Sequence, residues 1–163
     1  MRREELSRSG LKGRLGFRVR SPETGKLSGH LWAAVRALEL PAGDYVIFGS
    51  APLFARGLIA EVGDVDLLAT RSAWGRACRL GVPETAPGGD RVVRAGSDID
   101  ISHGWLGLDV DAIVSRAETI DGLPIAHLSD VAAYKRLLGR PKDRAHLELL
   151  EAFMTAQRRN QGG

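Results

Sequence analysis

The sequence predicts an α/β fold, in which helices pack on a sheet, and three observations indicate this class. Short runs rich in β-branched and aromatic residues, such as 44–48, end at a glycine, which is typical of a strand entering a turn. Segments with apolar residues at helical spacing, such as 27–40, alternate with these runs. The chain has 163 residues, of which 44% are hydrophobic and 26% charged, so a single domain with a buried core is expected.

Each element has its own local signal. The first half is expected to contain helix 27–40, strand 44–48, helix 51–58, strand 63–69 and helix 72–80. Prolines and glycines predict a loop between residues 83 and 89. Strands at 91–95 and 98–102 then form a hairpin about Gly96-Ser97, and strands at 117–120 and 123–127 flank Asp121-Gly122.

The C-terminal part predicts a pair of helices. The first is expected to open near Ser129, a good N-cap residue, and to carry its apolar residues at helical spacing up to Leu138. Gly139 is expected to end this helix, and Pro141 to occupy the first position of the last one. The last helix runs past Phe153, and residues 158–163 are expected to be a flexible tail.

Two aspartates lie on the strand predicted over residues 63–69. Residues two apart on a strand point to the same face, so Asp64 and Asp66 are able to bind a divalent metal from one side. Upstream, the Gly49-Ser50 turn leaves room for backbone N–H groups to approach a phosphate. A phosphate site beside paired carboxylates is suited to phosphoryl or nucleotidyl transfer.

This order of strand, Gly49-Ser50, helix and Asp64-Val65-Asp66 strand resembles the DNA polymerase β-like nucleotidyltransferase superfamily. The resemblance implies the nucleotidyltransferase fold, with a mixed β-sheet flanked by helices and the helical pair at the C-terminus. It also implies that Gly49 and Ser50 hold the β- and γ-phosphates of an NTP and that Asp64 and Asp66 bind Mg²⁺. A two-metal site is expected, with Mn²⁺ as the alternative cation.

The family has a third carboxylate on a later strand, which acts as metal ligand and general base. Here the candidate strand carries Asp98 and Asp100, which share one face, so periodicity cannot choose between them. Asp98 follows Gly96-Ser97 and also suits a turn. Asp100 lies between two isoleucines within the strand. We therefore assign the third catalytic carboxylate to Asp100.

Residues 134–143, with the sequence YKRLLGRPKD, are similar to the tail of small bacterial nucleotidyltransferases, including those of toxin–antitoxin and abortive-infection systems. This similarity implies that Lys135 and Lys142 lie near the triphosphate. Lys142 is expected in the first turn of a helix, where the helix dipole disfavours a cation and a bound anion would relieve the conflict. The alternatives are that Lys142 points into water, offset by Asp143, and that Lys135 lies on the surface of an amphipathic helix.

Charge is unevenly distributed along the chain. Residues 1–26 carry eight basic and three acidic side chains, a net charge of +5, whereas the whole chain carries +3. We therefore divide the chain into a basic N-terminal arm, 1–26, a nucleotidyltransferase domain, 27–157, and the tail. The arm is suited to RNA phosphates, but a solvated tail or a segment packed on a partner protein explains its charge equally well.

Composition further restricts the classes of protein. No apolar run approaches the ~20 residues that span a bilayer, and no signal peptide is expected. Cys78 is the only cysteine, which excludes an internal disulfide, and a cytoplasmic location is expected. The four histidines show no metal-ligand spacing; His103 follows the third acidic strand, where a structural role is favoured over a place in the site.

The sequence thus predicts a metal-dependent nucleotidyltransferase that moves an NMP from an NTP to an acceptor hydroxyl on RNA, protein or a small molecule. The alternatives are a nucleotide-binding or regulatory protein that has lost catalysis, and an RNA-binding module that acts through the basic arm. Neither the acceptor nor the preferred NTP follows from the sequence.

Overall fold

The structure, a computed structural model, describes residues 24–162. The basic arm predicted over 1–26 lies outside this range except for its last three residues, which begin the first helix. The helices are α1 (Thr24–Ala37), α2 (Ala51–Ala55), α3 (Arg71–Leu80), α4 (Val110–Ser115), α5 (Leu128–Leu138) and α6 (Pro141–Gln161). The strands are β1 (Tyr45–Phe48), β2 (Val65–Ala69), β3 (Glu84–Thr85), β4 (Arg91–Ala95), β5 (Ile99–Ser102), β6 (Glu118–Ile120) and β7 (Leu123–Ile125).

The seven strands form one mixed sheet in the order β3-β4-β5-β2-β1-β7-β6. The central strand β2 is antiparallel to β1 and parallel to β5. The hairpins β4-β5 and β6-β7 are antiparallel, and β7 joins β1 in parallel. This arrangement confirms the α/β class and the mixed sheet flanked by helices.

Each face of the sheet is covered by a separate hydrophobic core. On one face, Ile47 and Leu67 pack with Leu31 and Val35 of α1 and with the alanines of α3. On the other face, Phe48 and Leu68 pack with apolar residues of α2, α4, α5 and α6. Because successive strand residues alternate between faces, Asp66 and Asp100 lie on this second face, which we call the α5 face.

Several local predictions are confirmed. Strands β4 and β5 form the hairpin expected about Gly96-Ser97, and β6 and β7 flank Asp121-Gly122. Gly139 ends α5 with φ 58°, a left-handed conformation that glycine adopts at little cost, and Pro141 begins α6. Helices α5 and α6 form the expected C-terminal pair, packed on each other.

Two elements and three boundaries differ from the predictions. The predicted loop at 83–89 contains the short strand β3, and helix α4 was not predicted although Asp109 caps its first turn by accepting from the Ala112 N–H at 3.0 Å. Helix α5 begins at Leu128 with His127 as N-cap, because His127 Nδ1 accepts the Ser129 N–H; Ser129 is therefore not the cap. Helix α2 ends at Ala55, and α6 continues to Gln161 through most of the predicted tail.

In residues 24–162, no helix is both long and apolar enough to cross a membrane.

Candidate active site

Asp66 and Asp100 lie next to each other in the centre of the sheet. The parallel register of β2 and β5 pairs Asp66 with Asp100, and the antiparallel register of β1 and β2 pairs Asp66 with Phe48. Neighbouring strands are about 4.8 Å apart, so the two carboxylates leave adjacent backbones on the α5 face. Both side chains are half-buried. Two acidic side chains that face each other on neighbouring strands repel, unless a cation or hydrogen-bond donors offset the repulsion.

Asp64 and Asp98 lie at the edge of this arrangement. Asp64 precedes β2 and is exposed, as is Asp98 at the end of the β4-β5 turn. The Asp98 carbonyl accepts the Val65 N–H at 2.8 Å, which continues the β2-β5 pairing by one bond. The register thus brings Asp100 beside Asp66. Asp98 lies in the turn, which is the alternative position that the sequence allowed for it.

Gly49 brings the turn after β1 against the Asp66 carboxylate. Its φ of +67° lies in the left-handed region, and a Cβ added to it would lie 2.5 Å from Asp66 Oδ2. Any other residue here would therefore meet both backbone strain and a steric clash. The glycine predicted to approach a phosphate also allows Asp66 to lie close to the backbone of the turn.

Ser50 is the N-cap residue of α2, but its side chain does not cap the helix. No backbone N–H of the helix bonds its side chain; instead, Ser50 Oγ accepts a hydrogen bond from Lys135 Nζ at 3.3 Å. Ser50 is half-buried, whereas Lys135 is only 1% exposed. The surface position that the sequence left open for Lys135 is therefore wrong, since α5 turns this residue inward towards the Gly49-Ser50 turn.

Buried charges hold Lys135 in place. Lys135 Nζ lies 3.5 Å from Oδ1 of Asp143, which is fully buried at the start of α6. Arg140 approaches the same carboxylate, with Nε 2.5 Å from Oδ2 and a second guanidinium nitrogen 3.1 Å from Oδ1. The Arg140 backbone N–H adds a bond to Oδ2 at 3.2 Å. Asp143 thus balances two cations, as a buried carboxylate requires.

The pKa values of this pair shift in the direction that their surroundings dictate. Burial lowers the pKa of Lys135 to about 8; the Asp143 carboxylate opposes this shift, and the nearby Lys142 charge adds to it. Burial alone would raise the pKa of Asp143, but hydrogen bonds and charge from Arg140 outweigh it and lower the pKa. At neutral pH the pair is therefore an ammonium facing a carboxylate.

Lys142 occupies the first turn of α6, as predicted, and is half-buried. Its charge acts on the pKa of both Lys135 and His146, which places it close to the buried group. His146, one turn further on, is 3% exposed, and burial lowers its pKa to about 4. His146 is consequently neutral at physiological pH.

An aromatic cluster covers the same region of the α5 face. The rings of Phe48, Trp105 and Tyr134 lie 5.1–5.6 Å apart, centroid to centroid. Burial raises the pKa of Tyr134 to about 12, and the Asp66 charge contributes to the rise. Asp66 is therefore close enough to Tyr134 of α5 for its charge to act on the pKa of the phenol.

His103 takes the structural role favoured from the sequence. Its ring stacks on Trp74 of α3, with centroids 4.9 Å apart, and its Nδ1 lies 3.0 Å from the Ala69 carbonyl oxygen. Trp74 packs on the core of the face opposite to Asp66 and Asp100. His103 is therefore not part of the candidate site.

The sequence did not predict that Arg140, Asp143 and His146 gather around Lys135. Asp143 was considered as a local offset for Lys142. Their spacing on α6 contained a signal, because residues three or four apart on a helix share a face. Asp143 and His146 are three apart, and the leucine at 150 lies on the same buried side.

Among residues 24–162, no group of three or more histidine, cysteine, aspartate or glutamate side chains is arranged to hold a metal ion. The structure places Asp66 beside Asp100 and against Gly49. Ser50 contacts Lys135, and the charge of Lys142 acts on the pKa of Lys135.

Comparison of this chain with protein-family models, with curated proteins and with solved structures finds no match.

Proposed function

We propose that the protein is a metal-dependent nucleotidyltransferase that moves an NMP from an NTP to an acceptor hydroxyl. The observation that carries this proposal is the side-by-side placement of Asp66 and Asp100 against the Gly49 turn. Two carboxylates on adjacent strands are a donor set that a divalent cation takes in phosphate-transfer sites. The adjoining turn and lysines supply the groups that an anionic substrate needs.

The chemistry of the carboxylates fits magnesium. Mg²⁺ in phosphate-transfer sites is commonly bound by one or two carboxylates, with water and substrate phosphates completing its shell. Asp66 and Asp100 supply two oxygen ligands, Asp64 is two residues away at the exposed end, and Mn²⁺ accepts the same donors. When bound, the metal would stabilise charge that develops on the phosphates.

The remaining groups have distinct roles in this proposal. Asp100 accepts the proton of the acceptor hydroxyl, so that its oxygen attacks the α-phosphorus in line while pyrophosphate leaves. The Ser50 hydroxyl and the half-buried Lys142 contact the β- and γ-phosphates. Lys135, which is almost completely buried, adds its positive charge from beneath Ser50. The fold that these assignments imply is the nucleotidyltransferase fold.

The direct test is product formation. Wild-type protein is incubated with Mg²⁺ and α-labelled NTPs, together with RNA, proteins or small hydroxylated molecules, and pyrophosphate release and label transfer are measured. We expect transfer to one class of acceptor, lost in Asp66→Asn and retained in Asp111→Asn, which alters an exposed carboxylate on α4. Full activity of Asp66→Asn would show that the site is wrong. Magnesium-dependent NTP binding without transfer to any acceptor would instead identify a nucleotide-binding protein.

A further inference from the structure

We propose that Lys135 is a positioning residue that acts on the substrate only through Ser50, as the last member of a chain of charged groups that runs from the half-buried Arg140 through the buried Asp143. The inference rests on the proposed function, because Ser50 is taken there to contact phosphate. It differs from the expectation drawn from the sequence, in which Lys135 itself binds the triphosphate.

Lys135 and Ser50 differ in their exposure to solvent. Lys135 is 1% exposed, and its ammonium lies between Ser50 Oγ at 3.3 Å and Asp143 Oδ1 at 3.5 Å. Ser50 is half-buried and lies on the turn after β1. A ligand arriving at the Gly49-Ser50 turn therefore meets the Ser50 hydroxyl, whereas Lys135 lies behind it.

The hydrogen bond between Lys135 and Ser50 has a fixed direction. An ammonium group only donates, so the Ser50 oxygen must be the acceptor. The single proton of the hydroxyl then points away from Lys135. Among the hydrogen bonds within residues 24–162, the Ser50 side chain takes part in the one from Lys135, as its acceptor. A phosphate oxygen at the turn would therefore be able to accept the proton of the Ser50 hydroxyl.

The position of the Lys135 side chain is fixed by Asp143. A lysine side chain has several rotatable bonds and favours water, so holding it inside the fold needs a counter-charge. Asp143 supplies it, and three contacts from Arg140 at 2.5–3.2 Å fix the Asp143 carboxylate in turn. The start of α6 thereby determines how Ser50 presents its hydroxyl, through Asp143 and Lys135.

The test combines a measurement without ligand and a double-mutant cycle. First, the NMR signals of the Lys135 ammonium are recorded in the ligand-free protein. We expect a shift on Ser50→Ala and on Asp143→Asn, and none on Ser115→Ala, an exposed serine of α4. Unchanged Lys135 signals in Ser50→Ala would overturn the inference, whatever the protein binds.

Second, the affinity for inorganic tripolyphosphate with Mg²⁺ is measured for Ser50→Ala, Lys135→Met and the double variant. We expect each single change to weaken binding roughly 10-fold, the usual size for a lost hydrogen bond to a charged group, and the double variant to be no weaker than either. A further loss of roughly 10-fold in the double variant would mean that Lys135 contacts phosphate directly and would overturn the inference. Arg136→Met, an exposed neighbour paired with Glu151, is the matched control.

Three additional outcomes are informative. If Lys135→Met does not fold, Lys135→Arg, which keeps the charge and the donors, takes its place in the cycle; we expect it to retain more affinity than Ser50→Ala. If the wild-type protein binds neither tripolyphosphate nor any NTP, the proposed function fails and this inference fails with it. Covalent nucleotide on Ser50, detected by mass spectrometry, would make Ser50 an acceptor and overturn the positioning role alone.

Discussion

Asp66 of β2 is paired in register with Asp100 of the parallel strand β5, and the two carboxylates share the face of the sheet that α5 covers. This pairing places two acidic side chains beside each other in the centre of the sheet. Several consequences of this geometry and of the buried charges beside it are open to measurement.

The register distinguishes Asp100 from Asp98. Asp100→Asn should lower turnover roughly 100-fold or more, the usual loss when one charge-stabilising group is removed from an active site. Asp98→Asn should change turnover little, because Asp98 lies exposed in the turn and its structural contact uses the backbone carbonyl. The measurement is the rate of pyrophosphate release. The opposite ranking of the two variants would move the third carboxylate to Asp98.

Gly49 should be intolerant of a side chain because of Asp66. Gly49→Ala adds a Cβ 2.5 Å from Asp66 Oδ2 and also meets strain at φ +67°. Gly57 is a matched control, since its φ is +71° but nothing lies within 4 Å of an added Cβ. Gly57→Ala should cost about 1–2 kcal/mol in the free energy of unfolding, from backbone strain alone. Gly49→Ala should cost more and should also weaken metal-dependent NTP binding; equal costs would mean that Asp66 moves aside freely.

Asp143 should be far more important for stability than a surface carboxylate. Asp143→Asn leaves two cations, one of them fully buried, without their counter-charge, and we expect a loss of about 3–5 kcal/mol in the free energy of unfolding. The control is Glu151→Gln, which breaks the exposed Arg136–Glu151 pair and should cost less than about 1 kcal/mol. Urea denaturation measures both changes. A small effect at Asp143 would mean that the ion pairs do not form as described.

His146 should make the protein sensitive to acid. Its pKa is lowered from 6.5 to about 4 in the folded state, chiefly by burial, so the unfolded state binds more protons between these values. Stability should therefore fall as the pH falls from 6.5 towards 4, with a contribution of at most about 1.4 kcal/mol per pH unit. His146→Gln removes the titrating group, and its free energy of unfolding should change less steeply over the same window. Parallel curves for the two proteins would exclude this contribution.

Local signals in the sequence predicted much of the fold. Gly139 and Pro141 located the junction of the last two helices, and Gly96-Ser97 located the turn of the β4-β5 hairpin, because each residue acts on its own backbone. Helix α4 and strand β3 were missed because they are six and two residues long, too short for a periodic pattern. The sequence predicted Ser129 rather than His127 as the cap of α5 because serine is a common N-cap residue, whereas histidine is not; here His127 Nδ1 accepts the Ser129 N–H.

The site was harder to predict from the sequence because it depends on contacts between segments that are distant along the chain. Alternation along a strand put Asp98 and Asp100 on one face, but only the pairing of β2 with β5 places Asp100 beside Asp66. Similarly, helical spacing puts Lys135 on the same face as the buried Val131, four residues earlier. It could not show the contacts of Lys135 with Asp143, eight residues later, and with Ser50, eighty-five residues earlier. These contacts are properties of the assembled fold.

The most direct test of the central claim is thermal unfolding of the wild-type protein with each NTP, with and without Mg²⁺, beside the Asp66→Asn/Asp100→Asn variant. A ligand that binds only the native state stabilises it, by about 2.7 kcal/mol at one hundred times its dissociation constant. We predict a magnesium-dependent rise in Tm with at least one NTP, absent in the variant. No rise with any NTP at millimolar concentration, or an equal rise in the variant, would contradict a nucleotide site built on Asp66 and Asp100.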